Sequence, residues 1–322
     1  MAPYAAHSAL EPAGAAAAHS LRLFYAYFDV SALVFTLVIG ALGFALGKKR
    51  EPEQERDKAN GSGDVGKTRA VLWATVATIV TLLGLLVASV STGHATASLP
   101  TERPVRVQVI AHKWWWEFRY PVAGVAKATQ FSTAYELHIP VGRPIQLELL
   151  ATDVIHSFWV PNLSGKRDAI PGKHNVLFIR ADRAGSFEGQ CAEFCGTEHA
   201  HMRFLVVAES PAQFAAWRDH QLGSPAPPTD PLRQRGLDVF MNSRCSSCHA
   251  IAGTDAFGTV GPDLTHLASR KRLAMGTLDN DRAHLSRWIS DPQSDKPGVQ
   301  MPSTPLGADE QHALLSYLEG LR

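Results

Sequence analysis

The chain is poor in cysteine and carries no excess of either charge: four cysteines stand in 322 residues, and 31 Lys and Arg face 30 Asp and Glu. The charge balance excludes the basic footprint expected of a protein that binds nucleic acid. The cysteines form two pairs, Cys191 with Cys195 and Cys245 with Cys248. No second Cys-x-x-Cys exists with which the latter could complete a zinc site. The length exceeds one ordinary globular unit, so two or three domains are expected.

A polar stripe at helical period is missing from two long apolar runs, residues 23–47 and 70–90. Its absence argues against amphipathic core helices, and each run is long enough to cross a bilayer core of about 30 Å. Asp29 is the one acid of the first run; its place near the outer end suits headgroups or a partner subunit. Between the runs lie Lys48, Lys49, Arg50, Arg56, Lys58, Lys67 and Arg69, whereas only Arg22 precedes the first. The positive-inside rule therefore expects loop 48–69 in the cytoplasm and both ends outside. The residues ahead of the first run lack the basic n-region and Leu-rich h-region of a signal peptide, so such a peptide is either already gone or never existed.

Boundaries are expected at an outer N-terminal segment (1–22), a two-helix anchor (23–99), a β-rich domain (100–222), a linker (223–231) and a helical domain (232–322). The β-rich reading rests on VRVQVIA, YELHIPVG, PIQLELLA, HNVLFIRA and MRFLVVA, short runs broken by Pro and Gly that suit a sandwich or barrel. The linker GSPAPPTDP is Pro-rich and extended. Helical patterns follow at 232–243, 282–289 and 309–321, preceded by a short helix at 211–222. So small a helical domain needs a large buried cofactor at its centre.

Cys245, Ser246, Ser247, Cys248 and His249 supply that cofactor's attachment signature, Cys-x-x-Cys-His, in which two thiols bond covalent haem c and the histidine is the proximal ligand. A disulfide is the competing reading. The distal ligand is expected from Met301, ahead of Pro302 and the last helix; Met241 and Met275 compete, and His266, His284 or His312 would make a bis-histidine haem of lower potential. The other pair lies in GQCAEFCGTEHAHM, which offers Cys191, Glu193, Cys195, His199 and Met202. Thiolates beside imidazole and thioether select copper. A mononuclear blue-copper loop would supply one cysteine; two, four residues apart, provide bridging sulfurs for two coppers. The remaining ligand is expected from His156 in DVIHSFWVP. A structural disulfide is again the alternative, but it leaves His199 and Met202 unexplained.

The paired apolar runs, HKWWWEF, DVIHSFWVP, GKRDAIPGKHN, GQCAEFCGTEHAHM, the haem motif, GPDLT and DPQSDKPGVQMP occur in this order. Together they resemble subunit II of haem-copper cytochrome c oxidases, in the caa-type version with a cytochrome c domain fused at the C-terminus. The resemblance covers nearly the whole chain. It implies a multidomain fold: two transmembrane helices, a cupredoxin-like β-sandwich or barrel, then an all-α class I cytochrome c domain.

It also implies a binuclear copper A centre bridged by Cys191 and Cys195, with His156 and His199 as terminal ligands, Met202 as a weak ligand and Glu193 contributing its backbone carbonyl. The Glu193 carboxylate would reach a magnesium ion shared with subunit I. Trp114 matches the aromatic residue through which electrons enter the copper centre. Three adjacent tryptophans on a strand cannot all face one side, so core packing is expected of at least one among Trp114, Trp115 and Trp116.

The implied partners are oxidase subunit I, with haem a and copper B, and subunit III. A donor such as cytochrome c would serve the periplasmic face of a bacterial cytoplasmic membrane. The chain departs from many relatives at Ala70, Val71, Leu72, Trp73, Ala74 and Ala77. A glutamate three residues before a Trp-Thr pair, with a proline shortly after, is missing there, so a role in proton uptake is not expected. Two other functions fit the motifs: a stand-alone membrane-tethered redox carrier, and the electron-accepting subunit of a copper-A nitric oxide reductase.

Overall fold

The computed structural model describes residues 7–47, 53–97, 104–121 and 130–322. Two compact units result, Ala18–Ser98 and the remainder.

The first unit is a pair of helices, α1 (Ala15–Gly47) and α2 (Glu53–Ala97). At 33 residues α1 is about 50 Å long at 1.5 Å per residue, more than a bilayer core requires. Phe35, Phe44 and Leu46 on α1 and Trp73 on α2 are exposed within the unit, a surface suited to lipid. The helices are joined by a hydrogen bond from the Tyr27 hydroxyl to the Leu85 carbonyl (3.4 Å). Both helices start earlier than the apolar runs. For α2 the reason is that EQERDKA consists largely of good helix formers, so polarity ends the membrane-compatible stretch without ending the helix. Lys48, Lys49 and Arg50, which set the expected orientation, lie outside the described residues.

The second unit begins with the segment ahead of α1. Ala13 donates its N–H to the Asn162 carbonyl (2.7 Å) and accepts from Asp182 N (2.7 Å).

A sandwich of two five-stranded sheets follows. One sheet holds β1 (Val105–His112), β2 (Trp115–Pro121), β3 (Gln130–Ala134), β5 (Ile145–Ala151) and β8 (Asn175–Ile179) in the order β3-β2-β1-β5-β8. The other holds β4 (Glu136–Pro140), β6 (His156–Trp159), β7 (Arg167–Ala169), β9 (Gly185–Cys191) and β10 (Arg203–Glu209) in the order β4-β10-β9-β6-β7. Each sheet has one parallel pair, β1 with β5 and β10 with β4. Alternation decides the faces: β5 buries Ile145, Leu147 and Leu149 and turns Gln146 and Glu148 outward. Between the sheets Trp116, Phe118, Phe158 and Phe204 form a chain of ring contacts with centroids 4.4 to 5.9 Å apart.

Beyond α3 (Pro211–Gln221) the chain enters the helical domain, α4 (Pro231–Asn242), α5 (Cys245–Cys248), α6 (Arg282–Ser290), α7 (Pro292–Asp295) and α8 (Ala308–Leu318). The end of the Pro-rich linker is the start signal of α4: the Asp230 side chain accepts from Arg233 N (2.9 Å), and Pro231 sits in the first turn. α4 crosses α8 closely, because a Cβ at Gly236 would collide with the Ala313 carbonyl and the Tyr317 side chain.

The helical domain packs on the sandwich within the one unit. Lys271 N donates to Glu136 Oε1 (2.9 Å), Met275 packs with Ala134 and Tyr135, and the linker itself is held by a bond from His266 Nε2 to the Gly223 carbonyl (3.1 Å).

Candidate metal and haem sites

The loop 192–202 connects β9 to β10 and is closed at its base by a bond from Cys191 N to the Met202 carbonyl (3.0 Å). Ala192 N donates to the Ser157 carbonyl (2.9 Å), and β6 pairs with β9 at Phe158 and Cys191, which brings His156 to the loop. The result gathers every expected copper ligand. The Cys191 and Cys195 sulfurs lie 3.8 Å apart. Cys191 Sγ is 3.9 Å from His156 Nδ1 and 3.2 Å from the Glu193 carbonyl oxygen. Cys195 Sγ is 3.6 Å from His199 Nδ1 and 3.8 Å from Met202 Sδ. All four cysteines are free thiols rather than cystines. At a metal–sulfur bond of about 2.3 Å, this spacing of the two sulfurs is compatible with ligation of a metal ion.

The electrostatics also call for metal. The hydrogen bond from Cys195 outweighs burial and, with His156, holds the Cys191 thiol down to about 4. That thiolate, together with burial, pushes the Cys195 thiol up, so a second anion needs cations between the sulfurs. Burial alone would lower the His156 pKa, but contacts with Cys191 and Asp153 raise it. Asp153 Oδ1 accepts from His156 Nε2 (2.8 Å), which leaves Nδ1 facing the sulfur. Asp153 belongs to none of the ligand motifs; its sequence signal is an acid three residues before the ligand in DVIH. The Glu193 side chain points away, 46% exposed and 4.0 Å from Lys166 Nζ.

The three tryptophans divide the space. Trp114 lies in the turn between β1 and β2 and not on a strand, a correction to the sequence expectation, and its Nε1 donates to the Cys195 carbonyl (2.9 Å). Gly196, with φ of 118°, lets the loop approach the indole: a Cβ there would lie 3.0 Å from the Trp114 ring. Trp115 stacks on His112 (4.2 Å, 10°), and Trp116 is fully buried beside His156.

Trp114 and Trp115 also line a large cleft with Tyr135, Cys245, Cys248, His249 and Met301. α5 presents the two thiols one turn apart, and its C-cap is His249. His249 Nδ1 donates to the Pro262 carbonyl (2.7 Å), so Nε2 is free to ligate, and burial lowers the ring's pKa toward the neutral form that ligation needs. Gly261 of GPDLT lies against the imidazole, where a Cβ would be 2.5 Å from the ring. The thiols, the oriented imidazole and an apolar cleft fit a covalently held haem. Met301 and Met275 both line the cleft. Met241, His266, His284 and His312 are not among its lining residues.

Comparison with known proteins finds matches to both the sandwich and the helical domain. Residues 105–209 match the family described as cytochrome c oxidase subunit II, periplasmic domain, and residues 234–322 match cytochrome c. Cytochrome c oxidase subunit 2 of Alkalihalophilus pseudofirmus is 33% identical across 98% of this chain and 91% of its own length. The chain belongs to the cytochrome c oxidase subunit II family. Subunit 2 of Bacillus sp. strain PS3 is 34% identical, over 78% of this chain and 74% of that one. The solved periplasmic domain of subunit II of cytochrome oxidase from Bradyrhizobium japonicum shares 28% identity over 38% of this chain and 96% of that domain, with a TM-score of 0.35. As a subunit II with a fused cytochrome c domain, the chain is a membrane-anchored, periplasmically exposed component of a haem-copper oxidase. It receives electrons for the catalytic subunit with which it associates, through haem c and copper A.

Proposed function

We propose that Cys191 and Cys195 bridge two copper ions, with His156 and His199 as terminal ligands, Met202 as a weak ligand and the Glu193 carbonyl completing the set. The observation that carries the count is the division of donors. The donor atoms of His156, Cys191 and Cys195 lie within 4.8 Å of one another, and His199 falls outside that group. His156 Nδ1 stands 3.9 Å from the Cys191 sulfur and His199 Nδ1 stands 3.6 Å from the Cys195 sulfur, so each imidazole has its own sulfur, a division that suits two ions sharing the pair.

When bound, the copper pair and haem c supply one-electron redox chemistry. The chain's own residues hold each site in nearly fixed geometry, which keeps rearrangement small when charge changes. Cys245 and Cys248 anchor the haem, His249 is its proximal ligand and Met301 its distal ligand. Trp114 lines the haem cleft and hydrogen-bonds the Cys195 carbonyl, and so joins the two sites; electrons from an external donor such as cytochrome c would reach haem c first and enter the copper centre by way of Trp114. The Glu193 carboxylate faces outward as a ligand for magnesium shared with subunit I. Both redox domains lie on the periplasmic side of a bacterial cytoplasmic membrane, beside subunits I and III.

Cys191→Ser in the purified complex is expected to abolish the near-infrared and paramagnetic copper signals while haem c stays at full content. An unchanged copper signal refutes the ligand assignment.

A further inference from the structure

Lys296 is the one lysine sealed inside the cytochrome domain, 2% exposed, in the loop between α7 and Met301. It lines the haem cleft. Its ammonium has three donors, and one is committed to the Trp114 carbonyl (3.3 Å), on the sandwich. Among the described residues no carboxylate lies within ion-pair distance of it; the acid that influences it most, Glu198, is buried and already accepts from His201 Nδ1 (2.8 Å). A buried cation without a partner is unfavourable, so a structure that keeps one supplies an anion from elsewhere. The group that fills this cleft brings its own carboxylates. The same loop places Gly298 against the outer edge of the Trp114 indole, where a Cβ would stand 3.7 Å away, before it delivers Met301.

We propose that Lys296 is a positioning residue that binds a haem c carboxylate while holding the Trp114 carbonyl, and so fixes the cytochrome domain against the copper-bearing sandwich. The inference rests on haem c filling the cleft.

The test is Lys296→Met in the intact oxidase, with the haem c midpoint potential measured by spectroelectrochemistry and electron equilibration between haem c and copper followed after rapid photoreduction. A cation beside the haem favours the reduced state, so its loss is expected to lower the potential by about 59 mV, a tenfold shift in the one-electron equilibrium. Equilibration is expected to slow about tenfold, with the copper spectrum unchanged. Lys296→Gln, which keeps a donor for Trp114 but no charge, is expected to show the fall in potential alone. Should Lys296→Met not accumulate, Lys296→Gln decides the matter. A wild-type potential in a haem-loaded neutral variant overturns the inference, whatever the rate does. Wild-type protein with no covalent haem overturns the reading beneath it as well.

Discussion

Two sulfurs 3.8 Å apart in a buried loop repel as thiolates, and the surrounding residues lower the cost of one anion only: Cys191 is held down by Cys195 and His156, and Cys195 is pushed up in turn. Copper supplies the remaining charge. The donors themselves were legible in the sequence, because thiolate, imidazole and thioether at fixed spacing announce their chemistry. What orients them was not, because it is assembled from separate places. Asp153 fixes His156 from the turn before β6, and its second oxygen accepts from Lys113 N (2.7 Å). Asp153→Asn is expected to weaken copper binding about 10- to 100-fold, read by competition with a copper chelator, without affecting haem content. Wild-type affinity in that variant would assign Asp153 to the turn alone.

Elements deliver these residues by hydrogen-bond register. Pairing of β6 with β9 sets His156 beside Cys191, and the closed base of the β9–β10 loop returns Met202 to the same place. The five β-rich runs match β1, β4, β5, β8 and β10 within two residues, and the helical patterns match α4 and α6 as closely, whereas the last pattern runs three residues past the end of α8 and the short α5 and α7 carry no periodicity to read. Trp114 was misplaced, because a local alternation rule assumes that a strand continues, whereas the chain turns between His112 and Trp115. The early start of α2 has a related reason: hydropathy marks where lipid ends, and helix propensity marks where the helix ends. In the cytochrome domain, Gly261 lets the polypeptide pass beneath His249. Gly261→Ala is expected to tilt or displace the imidazole and cost about 1 to 3 kcal/mol of stability, measured by thermal unfolding together with the haem absorption spectrum.

On the scale of the whole molecule, the cytochrome domain is seated on the sandwich through a seam that no single motif encodes. Glu136 on β4 accepts from Lys271 N, and its other oxygen faces His138 Nε2 (3.4 Å). His138 stacks on Trp217 (4.2 Å, 8°) and faces Glu209 Oε2 (3.4 Å). Burial opposes charge on both partners; contacts with His138 and Lys271 nevertheless lower the Glu136 pKa below 4.5, and Glu136 and Glu209 raise that of His138 above 6.5. The Glu136 contribution to stability is therefore present above 4.5 and lost as pH falls through its lowered value. That of His138 is complete below 6.5 and lost as pH rises through its raised value. The melting temperature is expected to fall on the alkaline side, and His138→Gln is expected to flatten that limb in a pH series.

The central claim is that the paired sulfurs hold two coppers while the second cysteine pair holds haem c. Copper and haem c quantified together in the intact, purified complex test it most directly, with copper in the catalytic subunit subtracted by means of the Cys191→Ser complex. The account expects two coppers lost for each haem c retained. One copper lost per haem c, or Cys191 and Cys195 recovered as a cystine without metal, would contradict it.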